Sequence, residues 1–435
     1  MAPDSTDASL HQRVYSHVGT RATSLQRSIS TDDLLRHGGI MAMATVASGG
    51  LNYVYQVFVG RALGPEQFGI FGALFALFYL SSVLGRGIRF SASRFIAAFD
   101  RSDPGLSAYY HGLLARSIVF CAIVFLVLVV STPFIGPFLG VDSTVAILLV
   151  AGAVPVSLAF TANKGTLQGL QWFAPLGGYQ ILLSGIKLIA AVVLVSLGYG
   201  VAGALGAVVI ATVIVLGAST LHLHWRLPAR RSFTPVHDYA PTYRYALPAV
   251  LAGFCLTVPG TIDVIAAQRF FPGQSAGLYT AVSVLGKILI FLPLGICAAL
   301  FPKVSDGYTG SEQVDLDGLL WRALCYAGAI AGAGALLYGL APELVLSLFF
   351  GPAYTDAAVL LQWYGVAIFA FVLAFVILNF ELARDRTRFV YVFTIASIVE
   401  IGLLWTVHGS LIGMAQIILV VNSLLFAYGL YEVRK

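Results

Sequence analysis

Several ionisable residues stand inside apolar runs where leucine or alanine would insert more readily. Lys187 lies near the centre of a run at about 175–197, Lys287 inside one at about 277–301, Glu400 near the centre of one at about 389–408, and Asp263 a few residues from the end of one at about 245–267. An unpaired charge at membrane depth costs about 2.5–3.5 kcal/mol on insertion scales, so each of them needs something to face. Ammonium groups are suitable partners for a phosphate or pyrophosphate, which makes Lys187 and Lys287 candidate substrate-binding residues in a cationic cavity. The same residues allow a plainer arrangement in which one lysine pairs with Glu400 as a structural bridge. Arg116, about two turns into the run at 108–131, is a further candidate substrate contact, with snorkelling to the surface as its alternative. Asp263 and Glu400 are candidates to carry a coupling proton or sodium ion. Asp263 follows Pro259 and Gly260, which can interrupt a helix and open its carbonyls, so it could equally cap that break or bridge to Arg269.

Other polar residues carry weaker signals. Lys164 with Asn163, and Asn379 with Glu381, fall near the ends of runs and suit an interfacial position. His222 and His224 are two residues apart, about 200° around a helix, so a shared metal is not expected. Tyr53, Tyr55 and Trp363 could stack on sugars, although aromatic residues near run ends commonly serve as interface anchors. Cys121, Cys255, Cys297 and Cys325 each sit alone within an apolar run and suit packing. No phosphate-cradling glycine loop of the Walker type occurs. No catalytic set, metal site or cofactor is expected, and no enzyme activity.

The elements that must position these residues follow from composition. Hydrophobic residues make up 58% and charged residues 10% of the 435, far from the quarter charged residues of a soluble protein. Apolar runs fall at about 38–59, 67–85, 108–131, 143–168, 175–197 and 200–223, then at about 245–267, 277–301, 319–341, 356–380, 389–408 and 411–431. Each is long enough to cross roughly 30 Å of hydrocarbon, so the expected fold is an all-α integral membrane protein of about 12 transmembrane helices. The segment GRGIRFSASRFIAAFDR after the second run, with Arg86, Arg89 and Arg94 alternating with apolar residues, suits an interfacial continuation of that helix. Residues 1–36 form a polar tail, with a surface-lying amphipathic helix as one form it could take. The stretch 224–244, with three prolines and four arginines, is the linker between an N-terminal bundle at 37–223 and a C-terminal bundle at 245–431, and 432–435 is a short terminus. The outer loops are short, the longest being a connector of about 15 residues near 342–355.

The positive charge is topological rather than a nucleic-acid signal. With the tail inside, nineteen lysines and arginines fall in inner segments against Arg61 and Arg269 outside, which predicts a multi-pass protein of the cell membrane with both termini cytoplasmic.

The halves also repeat one another. RALGPEQFGIFGALFAL from Arg61 aligns without gaps on RFFPGQSAGLYTAVSVL from Arg269, matching Gly69 with Gly277, Ala73 with Ala281 and Leu77 with Leu285 at an offset of 208. Gly112, Leu113, Leu114 and Arg116 recur as Gly318, Leu319, Leu320 and Arg322 at nearly the same offset. An even number of spans per copy makes the repeats parallel, so two six-helix bundles related by a pseudo-twofold axis along the membrane normal are expected, with substrate held where they face each other.

GRALGPEQFGIFGAL, KGTLQGLQWF and AGLYTAVSVLGKILIFLPLGICAALFPKVS together resemble segments of the polysaccharide-biosynthesis flippases (Wzx-like) of the multidrug/oligosaccharidyl-lipid/polysaccharide (MOP) superfamily. The resemblance spans about 38–431. It implies two lobes, alternating access and movement of a lipid-linked oligosaccharide across the cytoplasmic membrane. A polyprenyl-phosphate-linked glycan would then be the substrate, with membrane lipid and glycan-assembly enzymes as further partners and no nucleic acid. Two other functions fit the sequence less well. A cation-coupled exporter of drugs or metabolites from the same superfamily should have an acid-lined cavity, and a polyprenyl-dependent glycosyltransferase or polymerase should carry acidic or histidine residues on a sizeable loop.

Overall fold

The computed structural model describes residues 31–99, 103–227, 250, 253–254, 257–290, 316–384 and 388–433. Most of the expected tail and linker, the part of the eighth span beyond Ile290, and Cys255 and Cys297 lie outside the described residues. The chain is all-α. In order it forms α1 (Thr31–Ile96), α2 (Pro104–Leu139), α3 (Thr144–Gly169), α4 (Phe173–Ser196), α5 (Gly200–Arg226), α6 (Pro259–Phe270) and α7 (Gln274–Ile290). Then come α8 (Leu316–Leu340), α9 (Pro342–Phe349), a 3-10 turn (Pro352–Ala357), α10 (Ala358–Ala383), α11 (Arg388–Thr406) and α12 (Leu411–Val433). Nine helices among the described residues are long and apolar enough to cross a membrane.

The 66 residues of α1 are two spans joined at a hinge. Gly64 has φ 72° and ψ 172° and is followed by Pro65. A left-handed φ suits glycine, and proline removes a ladder donor, so the helix reverses here. Close approaches at glycines show where each limb goes. Gly177 faces Ala44 on the first limb, Gly165 and Gly169 face Arg89, Ala92, Ser93 and Ile96 at the end of the second, and Gly200 faces Gln67 just past the hinge. Both free ends of α1 therefore meet the α3–α4 connection, and the hinge meets the opposite end of the bundle. Gly165 and Gly169 are spaced four apart, which lets α3 approach α1 backbone to backbone. Residues 86–96 continue α1, as the sequence suggests, and pack on α3 with Ser91, Ala92 and Ile96 buried. Glycine on the facing helix, invisible to a reading of that segment alone, is the reason.

Local signals set the next boundaries. Asp103 accepts from Gly105 N–H at 2.7 Å before Pro104, and Gly140 ends α2 with φ 63°. Burial separates inner from outer helices: 67% of the most apolar window of α3 and 72% of that in Pro352–Ala383 are buried, against 6% in α2, whose surface suits lipid. In the N-terminal lobe α3 packs on α1, α2 and α5, and in the C-terminal lobe α10 packs on α8 and α12. Asn163 locks the first lobe, accepting from Tyr110 at 3.0 Å and donating to Ser219 and Thr220 at 2.8 Å each.

The lobes meet at the hinge end. Gly69 lies against Gly277 and Ala276, Gly72 against Thr280, and a β-carbon on Gly277 would overlap the Pro65 carbonyl oxygen. The connector expected at 342–355 is instead α9 and the 3-10 turn, because its apolar residues have a place to go. Leu346, Phe350 and Tyr354 are buried, Phe350 fills the space beside Gly60, and the Tyr354 hydroxyl donates to Gly60 O at 2.6 Å.

Candidate functional site

Among the described residues, three groups of charged side chains bear on a candidate site. The first surrounds Lys187 on α4, which is 8% exposed. Its Nζ donates to Asn52 Oδ1 and lies over the Tyr55 ring at 4.5 Å and the Phe75 ring at 5.6 Å. Tyr55 is held in turn by donating to Ala204 O at 2.9 Å. The amide and ring faces solvate the ammonium without a carboxylate. All these partners belong to α1, α4 and α5, so Lys187 ties the N-terminal lobe together and does not pair with Glu400, which sits on α11 in the other lobe. Tyr55, fully buried beneath the lysine, is not available to stack on a sugar.

The second group is in the C-terminal lobe. Asp263 is fully buried on α6, just beyond Gly260, whose φ −82° and ψ 15° interrupt the helix. Its Oδ2 accepts from Tyr364 at 2.8 Å and Tyr279 at 3.3 Å, and its Oδ1 from Val264 N–H at 2.9 Å. The two tyrosine rings meet edge to face at 5.8 Å. Lys287 on α7 and Glu400 on α11 both lie close enough to act electrostatically on Asp263. Glu400 is 2% exposed, and its Oε1 has no hydrogen-bond partner among the described residues. Arg269 points elsewhere, over the Phe138 ring at 5.3 Å. Two buried carboxylates thus lie near one another, with one ammonium near Asp263, and a proton or cation taken up there would relieve the repulsion between the acids. Tyr279 and Tyr364 were not singled out in the sequence; the signal that could have found them is their position on helices flanking a buried acid.

The third group was likewise missed. Arg86 and Arg89 are three residues apart, hence on one face of α1, and Lys164 on α3 lies beside Arg89. Arg86 Nη2 donates across the lobe boundary to Thr257 Oγ1 at 3.0 Å, Arg89 Nε donates to Gln168 Oε1 at 2.9 Å, and Lys164 Nζ lies 5.0 Å from the centre of the Phe160 ring. All three are half-buried, and no carboxylate among the described residues pairs with them. Such a group can hold an anion by charge-assisted hydrogen bonds.

The structure therefore brings Lys287, Asp263 and Glu400 together, places Lys187 apart from them, and leaves Arg116 exposed on α2. His222 and His224 part company as their spacing implies: Tyr179 meets His222 Nδ1 at 2.9 Å, whereas His224 meets His111 at 3.5 Å. Among the described residues no three metal-ligating side chains cluster.

Comparison with known proteins places this geometry. No curated protein matches the sequence. Among solved structures, the "inward-facing conformation of a multidrug resistance MATE family transporter of the MOP superfamily" superposes with a TM-score of 0.75 at 15% identity, covering 91% of this chain and 98% of that one. The outward-facing conformation of such a transporter gives 0.63 at 17% identity, over 94% and 97%. A MOP superfamily transporter from Pyrococcus furiosus, described by "reverse polarity of binding pocket", gives 0.64 at 17% identity, over 92% and 95%. The profile of the polysaccharide biosynthesis protein family matches residues 34–307, more than half of the sequence. The chain thus has the MOP fold and belongs to the polysaccharide biosynthesis protein family.

Proposed function

We propose that the protein moves an anionic lipid-linked glycan precursor across the membrane by alternating access between its two lobes. The observation that carries this reading is the cationic group of Arg86, Arg89 and Lys164 at the lobe boundary, in a chain whose family is named for polysaccharide biosynthesis. A phosphate or pyrophosphate linking glycan to lipid is the anion it would hold, while the glycan and lipid extend away from it. Lys187 holds the helices of the N-terminal lobe together. The lobes are 37–223 and 245–431, related by a pseudo-twofold axis along the membrane normal. Contact between the repeat partners Gly69 and Gly277, and Gly72 and Thr280, supports that axis, since equivalent positions meet where a twofold passes.

Alternating access needs one end closed while the other opens. The hinge end is closed by backbone contact, in keeping with the larger overlap with the inward-facing transporter. With the termini cytoplasmic, as the basic residues predict, the hinge end faces outward. In a cysteine-free background, cysteines at Asp142 and Gln274 are expected to react with an impermeant thiol reagent from outside, and cysteines at Gly39 and Trp225 only after permeabilisation. The opposite labelling pattern would invert the orientation.

Asp263, held by Tyr279 and Tyr364 with Lys287 near it, and Glu400 beside it are the coupling site of this mechanism: a proton or monovalent cation occupies the pair of acids in one state and leaves in the other. The same cluster favours a second reading, cation-coupled export of a drug or metabolite, since the solved structures of this fold include multidrug transporters. Proteoliposomes separate the two. Under the first reading, Asp263→Asn and Glu400→Gln should each lower gradient-driven flipping of a lipid-pyrophosphate glycan by about tenfold or more, with cargo binding retained. Gradient-driven export of a drug or metabolite, with no effect of the lipid-linked glycan, would establish the second.

A further inference from the structure

At the termini end of the N-terminal lobe, where α5 finishes and α4 begins, a cleft of about 440 Å³ opens between Ile40, Gln171, Trp172, Phe173, His222 and Arg226. None of these residues belongs to the cationic group or the carboxylate cluster. The titratable residues lining it are one histidine and one arginine, so its charge is suited to an anion.

The cleft is built rather than incidental. The Trp172 ring stacks on the His222 ring at 6.0 Å, and the Tyr179 hydroxyl meets His222 Nδ1 at 2.9 Å, fixing the imidazole and leaving Nε2 for another partner. Gln171 has φ 58°, the left-handed region that glycine or asparagine usually occupies. Its N–H bonds to Gln168 O at 3.0 Å and that of Trp172 to Leu167 O at 2.9 Å, so the turn closing α3 holds Gln171 and Trp172 at the cleft despite the strain. Arg226 is exposed in the last turn of α5, next to Trp225, which is 76% exposed, as expected where a spanning helix leaves the hydrocarbon.

A second observation concerns what continues from the cleft. Ala174, Gly178, Ile181 and Gly185 fall along one face of α4 at four-, three- and four-residue steps. Space beyond Gly178 and Gly185 is open, and Ile181 is 37% exposed. A shallow apolar groove thus leads from a basic, aromatic cleft along the hydrocarbon-facing side of the helix. Free phosphate has no use for that groove, whereas an amphiphile fits both parts.

We propose that this cleft holds the headgroup of an anionic phospholipid, with its phosphate on Arg226 and His222 and an acyl chain laid along the Ala174–Gly185 face. The site is independent of the cargo and of the coupling pair. A lipid there would bridge α4, α5 and the first limb of α1, the elements that also hold Lys187.

The test uses the full chain purified in detergent, with native mass spectrometry to count retained lipid. Phosphatidylglycerol should be retained about fivefold more than phosphatidylcholine, and Arg226→Glu combined with His222→Ala should remove that preference. Arg226→Lys should keep most of it, and Gly178→Leu, which fills the groove at an exposed position, should lower retention of both lipids. Thermal unfolding of each variant in detergent monitors the fold. Equal retention of the two lipids by the unaltered protein, or a preference that survives Arg226→Glu with His222→Ala, would overturn the site. Displacement of bound phosphatidylglycerol by equimolar inorganic phosphate, with no effect of Gly178→Leu, would overturn the lipid as its occupant.

Discussion

Gly277→Ala is expected to stop transport by preventing the lobes from closing at the hinge end. The added methyl would overlap the Pro65 carbonyl oxygen, and the surrounding atoms on that side are Pro65 backbone rather than a side chain that could swing away. Overpacking costs about 1–3 kcal/mol where side chains can adjust, and backbone against backbone belongs at the upper end. A bias of that size moves a two-state equilibrium by roughly a hundredfold. Because the overlap is between lobes, each lobe should still fold, and the protein should accumulate in the membrane. Spin labels placed on Asp142 and Gln274 should report a longer and broader separation in Gly277→Ala than in the parent. Gly339→Ala, at a glycine with open space around it, should change neither distance nor transport. A normal distance with full transport in Gly277→Ala would show that the hinge-end contact is not a gate.

The second large effect is expected at the cationic group. Hydrogen bonds to charged groups contribute about 1.5–3 kcal/mol each, so Arg89→Gln together with Lys164→Gln should weaken binding of a lipid-pyrophosphate glycan by a hundredfold or more. Arg86→Gln should add to that loss and also remove the link to Thr257. Arg89→Lys should recover part of the activity, since charge remains while the bond to Gln168 is altered. Binding should weaken with salt in the parent and lose most of that dependence in the double variant. Unchanged affinity in a folded double variant would assign these residues to topology alone.

Much of this architecture is visible in the sequence because its local rules are strong. Apolar length and spacing mark the spans, and each of the three quoted motifs falls on a place where helices come into unusually close contact. Gly60, Gly64, Pro65, Gly69 and Gly72 make the hinge and its interface, Gly165 and Gly169 seat α1 on α3, and Gly277 and Gly286 receive Pro65 and Tyr364. Two of the pairs at the offset of 208, Gly69 with Gly277 and Gly72 with Thr280, touch.

The site was harder to read because its partners come from different helices. In the sequence Lys187 needs a partner, either a substrate phosphate or Glu400; packing of α4 on α1 supplies an amide and two rings instead. Asp263 was separable from Arg269 only once α6 was seen to turn one residue toward Tyr364 and the other toward Phe138. Arg86 and Arg89 were masked by the topological meaning of basic residues beside a span, and only the fold shows them facing Lys164 and Thr257. Arg116 had the credentials of a site residue by depth alone, yet α2 carries it on an exposed face.

The central claim is that the cargo is an anionic lipid-linked glycan, and the most direct measurement is its distribution between leaflets in cells depleted of the protein. Spheroplasts probed with an impermeant glycan-modifying reagent should show the precursor accumulating unmodified at the cytoplasmic face, and re-expression of the parent but not of Arg89→Gln with Lys164→Gln should restore outward exposure. Precursor that continues to reach the outer face at the normal rate after depletion would contradict the account.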